Sequence, residues 1–201
     1  MKAGSKVRMT IIVISVVCIA VIVAVAYTST HPLIDDARIN WNLTLVGEGE
    51  RILTFDELRA MPSYEGYGGF FTTVGMINGP FKCKGVPIEY LCTLVGGING
   101  SDMVWVYAPD GYMMVFTYDQ CKGCFLTFDT TTLREVPHRE LKMILMYEQD
   151  GGPLSEDDGR PIRIAIVSED KLLTEGHYWI KWVNKIEIRA IKDHNKGGVH
   201  K

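Results

Sequence analysis

Gly159-Arg160-Pro161-Ile162-Arg163-Ile164-Ala165-Ile166-Val167 ends in a run that alternates Ile with Arg or Ala. A period of two in β-branched residues reads as a strand, and its apolar content places it in the core. On its N-terminal side, Leu141 to Tyr147 is a second apolar, strand-like run. On its C-terminal side, Trp179 to Val183 and Lys185 to Ile191 read as closing strands.

Earlier in the chain the same signals recur at short range. Trp41 to Val46 and Arg51 to Leu53 read as strands around the turn Gly47-Glu48-Gly49-Glu50. Thr54 followed by Glu57 forms a capping-box signature for a helix over Phe55 to Ala60, which Pro62 stops. Tyr64 to Gly79 holds Gly66, Gly68, Gly69, Gly75 and Gly79 among aromatics, which suits strand and loop with a backbone approaching another group closely. Phe81 to Lys84 reads as a strand, and Pro87 opens a helix over Ile88 to Val95 that ends at Gly96-Gly97. Met103 to Ala108 and Tyr112 to Tyr118 pair around Pro109-Asp110-Gly111, and Phe125 to Phe128 adds a short strand. The sum is an α+β domain, mostly β with two short helices and long loops.

Ahead of that domain, Met9 to Tyr27 carries no charge, with Lys2, Lys6 and Arg8 before it. A helix of this length matches a hydrocarbon core of about 30 Å. The basic flank predicts an N-terminus inside and a domain outside, a single-pass extracytoplasmic arrangement at the cell membrane. The same residues also suit a signal peptide cleaved after Ala26, which would release the domain as a secreted protein. The organisation expected is an anchor or signal over 1–27, a polar stalk over 28–40, one domain over 41–191 and a polar tail over 192–201.

The chain's formal charge of −3 includes three basic residues in the leader, so the exported part carries about −6. An acidic domain without basic clusters is not a nucleic-acid binder. Four cysteines lie beyond the leader: Cys83, Cys92, Cys121 and Cys124. Three pairings are open, with proximity favouring Cys121 with Cys124 and Cys83 with Cys92. Cys121-Lys122-Gly123-Cys124 reads as a disulfide at a hairpin tip, or as a dithiol that exchanges with other thiols. Asp150, Glu156, Asp157 and Asp158 form an acidic stretch without calcium-loop spacing, read as a solvated loop.

Four segments in order carry a family resemblance. They are Lys84-Gly85-Val86-Pro87-Ile88-Glu89-Tyr90-Leu91, Glu148-Gln149-Asp150-Gly151-Gly152-Pro153-Leu154, the Gly159 to Val167 segment, and Trp179-Ile180-Lys181-Trp182-Val183-Asn184-Lys185-Ile186-Glu187-Ile188. Together, from about Trp41 to Arg189, they resemble the molybdopterin-binding domain of the sulfite-oxidase type of oxidoreductase. The whole chain resembles small membrane-anchored archaeal members of that superfamily. The resemblance implies a pterin whose dithiolene holds molybdenum, and a redox partner for the electrons. It also implies that Arg163 and Lys181 meet the pterin phosphate through charge-assisted hydrogen bonds, with His177 beside the same pocket.

The family's metal is completed by a cysteine thiolate, a soft ligand for a soft site. Here Thr72-Thr73-Val74-Gly75 stands at that point, with Thr73 in the ligand position and Cys83 as the nearest thiol that could replace it. Two functional readings therefore stay open: a molybdopterin-dependent oxidoreductase-like protein of unassigned substrate, and a non-catalytic surface binding or scaffold module on the same fold. No residue is assigned a catalytic role.

Overall fold

The computed structural model describes residues 39–190. The expectations for the leader, for most of the stalk and for the polar tail lie outside these residues. Among the described residues, no helix is long and apolar enough to cross a membrane.

The chain runs β1 (Asn42–Val46), β2 (Glu50–Thr54), α1 (Phe55–Arg59), β3 (Tyr64–Phe71), β4 (Ile77–Pro87) and α2 (Ile88–Thr93). There follow β5 (Asp102–Tyr107), β6 (Met113–Thr117), α3 (Tyr118–Cys121), β7 (Lys142–Gln149), β8 (Gly152–Pro153) and β9 (Arg163–Val167). The last elements are β10 (Leu173–Glu175), a 3-10 turn over Gly176–Tyr178, and β11 (Lys185–Ala190). One sheet has the order β2-β1-β11-β5-β6. The other runs β10-β3-β4-β7, and both β8 and β9 pair with β7.

The second sheet bends back on itself. The Tyr67 N–H donates to the Ser168 carbonyl at 2.7 Å, and the Ser168 N–H returns to the Tyr67 carbonyl at 2.9 Å. This joins β3 to the chain just after β9, so β9 is enclosed from both sides and all five of its residues are buried. The glycines of β3 make that closure possible. A Cβ on Gly68 would stand 2.3 Å from the Ile166 carbonyl oxygen, well inside van der Waals contact. The close approach expected for this glycine-rich stretch is therefore its contact with β9.

Local signals set several elements as expected. Thr54 accepts from the Glu57 N–H, and the Glu57 carboxylate accepts from the Thr54 N–H, so both halves of the capping box form. Gly111 turns β5 into β6 with φ +89°. The helix opened by Pro87 stops at Thr93, two residues short of expectation, and Gly96 and Gly97 follow it with positive φ.

Three expectations are corrected. Phe125 to Phe128 is not a strand; Phe128 makes only isolated bridges, to Glu135 and Leu173. A second capping box, Thr117 with Gln120, starts α3 instead, and Gly123 at φ +98° turns the chain after it. Trp179 to Val183 is not a strand either. It makes one bridge, between Lys181 and Arg163, and Trp182 at φ +54° breaks the extended backbone. The expected disulfides do not form: all four thiols are free, with Cys83, Cys92 and Cys121 buried and Cys124 exposed. The Cys-x-x-Cys pair straddles the end of α3, not a hairpin tip.

Candidate functional site

Arg163 opens β9 and is 1% exposed. Its Nη1 donates to the Asp158 carbonyl and its Nη2 to the Trp179 carbonyl, each at 3.0 Å. Phe70 and Trp179 flank the guanidinium, with ring centroids 5.2 and 5.3 Å away. Burial pushes its pKa down to about 10, so it remains charged at neutral pH. The Nε is buried and has no hydrogen-bond partner. Arg163 thus ties the loop before β9 to the segment carrying Trp179.

Lys181, bridged to Arg163, is half-buried. Its Nζ donates to the Asp157 carbonyl, and it lies over the Trp182 ring at 5.8 Å. Gly159, at φ +93°, lets the loop close on this side chain: a Cβ there would come within 2.6 Å of the Lys181 Cβ. The acidic stretch keeps Asp150, Glu156 and Asp157 exposed, as a solvated loop should, and its backbone has a structural task as well. Successive carbonyls, Asp157 and Asp158, hold Lys181 and Arg163. The Ser155 hydroxyl pins the loop by donating to Asp158 Oδ2 at 2.6 Å.

Lys181 and His177 border one cavity of about 210 Å³, together with Asp110, Tyr112 and Trp182. His177 sits on the 3-10 turn, its Nδ1 3.4 Å from the Glu175 carboxylate and its ring 3.9 Å from that of Tyr178. Tyr112 Oη donates to the His177 carbonyl at 3.3 Å, linking the β5–β6 turn to this wall. Arg163 is behind the wall and is not among the lining residues. Tyr112 and Asp110 reach the cavity only through tertiary pairing. Their sequence signals were those of a turn for Asp110 and of a strand start for Tyr112.

The sulfur candidates lie elsewhere. Cys83, on β4, is fully buried, and its Sγ donates to the Phe81 carbonyl at 3.6 Å. Burial pushes its thiol up to about 12, Asp150 adds to the rise, and nearby Arg163 opposes it. Thr73 is exposed in the turn between β3 and β4, which Thr72 closes by donating its N–H to the Met76 carbonyl at 2.9 Å. Among the described residues, no group of three His, Cys, Asp or Glu side chains is arranged to hold a metal ion.

The model of the oxidoreductase molybdopterin-binding domain family matches residues 28–196. The chain belongs to that family. The crystal structure of the sulfane dehydrogenase SoxCD from Paracoccus pantotrophus shares the domain's fold, with a TM-score of 0.55 and 17% sequence identity. The likeness covers 75% of this chain and 39% of that one, so the family member described here spans well under half of the dehydrogenase chain. No curated protein sequence matches.

For a molybdopterin, the two ends of the site differ in fit. Lys181 and His177 on one wall suit an anionic group, with Asp110 the one carboxylate on the same lining. The cavity is smaller than the roughly 300 to 1,000 Å³ of most ligand pockets, so it admits the end of a cofactor and not its whole length. A thiolate-ligated metal does not fit beside these residues, because Cys83, the thiol near Arg163, is fully enclosed.

Proposed function

We propose that the protein is a membrane-anchored, extracytoplasmic member of the family that binds the phosphate-bearing end of a molybdopterin at the Lys181 and His177 wall. The observation that carries this is the convergence of those two residues on one cavity within the family-matched segment. An ammonium and an imidazole beside a phosphate make charge-assisted hydrogen bonds, and Lys181 must exchange its Asp157 carbonyl for the ligand to do so. Bound there, the group would supply oxygen-atom or electron transfer chemistry. This chain's own residues position its anionic end, and Arg163 keeps the supporting loop in place.

The anchor rests on the uncharged run of residues 9–27 and its basic flank. The domain is then held outside, where a redox partner would meet it. Protein made in a cofactor-producing host should release a fluorescent pterin on oxidation. Lys181→Ala should retain roughly tenfold less, about 1.4 kcal/mol, with an unchanged circular dichroism spectrum. Absence of pterin from the wild-type protein would sink the reading. Carbonate-resistant membrane fractionation, with protease access from the outer side only, tests the location; recovery of the domain as a soluble cytoplasmic protein would refute it.

A second reading, a binding or scaffold module without turnover, rests only on the exposed position of Thr73 and the enclosure of Cys83, and the family match does not favour it. It predicts ligand retention without redox cycling.

A further inference from the structure

We infer that none of the domain's cysteines ligates molybdenum, so that the metal centre expected of the family is either absent from this chain or held by the pterin's own sulfurs. The inference deepens the reading of the Lys181 and His177 cavity as a pterin site and rests on it for the ligand's identity.

A protein sulfur must be deprotonated and must reach the ligand to bind a metal. Each thiol fails on at least one count. Cys83 lies on β4, and its neighbours Gly66 on β3 and Gln149 on β7 flank it in the sheet. It has no exposed surface, and it does not line the cavity that holds Lys181. Cys92 and Cys121 are buried near α2 and α3, and Cys121 borders a separate cavity beside Pro87, Tyr90 and Met143. That cavity shares no lining residue with the one holding Lys181. Cys124 is exposed and borders neither the Lys181 cavity nor the one beside Cys121.

Thr73 does not substitute. It stands in an exposed turn whose neighbours Val74 and Met76 are 79% and 64% exposed. A neutral hydroxyl is in any case a poor ligand for a soft site.

The test uses the full chain, purified in detergent from a host that makes molybdenum cofactor. Metal content, oxidised-pterin fluorescence and the X-ray absorption fine structure at molybdenum are read on the same sample. Pterin present with only dithiolene sulfur at the metal supports the inference and the proposed function together. Pterin without molybdenum also supports both. Neither pterin nor molybdenum supports the inference and refutes the proposed function. One further sulfur beyond the dithiolene overturns the inference and leaves the proposed function standing. Loss of that sulfur in Cys83→Ala would identify its source. The wild-type spectrum decides alone, so the test survives a variant that does not fold.

Discussion

Arg163 opens β9 and is buried. An arginine in a Gly-x-Pro-x-Arg pattern suits a phosphate, but here its two terminal nitrogens close a loop onto the Trp179 segment. Arg163→Ala leaves one buried and one part-buried backbone carbonyl without their donors. The expected cost is about 3 kcal/mol, read as a lower urea midpoint at unchanged slope. The thiols give a second prediction. Alkylation of the native protein at neutral pH, followed by peptide mapping, should label Cys124 alone among the domain's four cysteines. Labelling of Cys83 before unfolding would show an open path to it.

Glu187 carries the clearest pH signal. Arg189, first, and then Lys185 hold its carboxylate down to about 2, from an ordinary 4.5. The folded value lies below the unfolded one, so the charged form stabilises the fold above about pH 4.5. That stability is lost as pH falls through about 2. With a side chain 16% exposed, screening leaves roughly 1–2 kcal/mol. Glu187→Gln should flatten the stability profile between those pH values. A variant as acid-sensitive as the wild type would refute this account of the pair.

At the scale of elements, β3 and β9 define each other. Gly68 was readable as a position of close approach, but the sequence could not name what approached it. Gly68→Ala places a methyl group against the Ile166 carbonyl oxygen, and neither backbone can move without breaking the Tyr67–Ser168 pairing. A loss of about 3 kcal/mol is expected, measured by thermal or urea unfolding. A neutral effect would mean that the sheet does not close there. The corrections at Phe125–Phe128 and Trp179–Val183 have a common source. Both stretches are apolar and aromatic enough for strands, but a capping box beside one and a left-handed residue within the other took the backbone out of the extended region.

Across the whole domain, both sheets contribute to one core: Leu43, Leu45, Val104 and Val106 from one, Val86, Leu145 and Ile164 from the other. Their shared burial predicts a single cooperative transition, with far-UV dichroism and fluorescence of Trp41, Trp105, Trp179 and Trp182 coinciding. Separate midpoints would indicate that the sheets unfold independently. The sequence alone determined the family, the mainly β character and most strands, because strand period, caps and turn residues act between near neighbours. It also raised the expectation that Thr73 stands where the family uses a thiol. Only the tertiary structure decided which groups meet: Lys181 and His177 at one cavity, Arg163 sealed behind it, Cys83 enclosed and Thr73 at the surface. Those placements depend on pairings between residues far apart in the chain, and on which carbonyls claim each cation, neither of which local patterns encode.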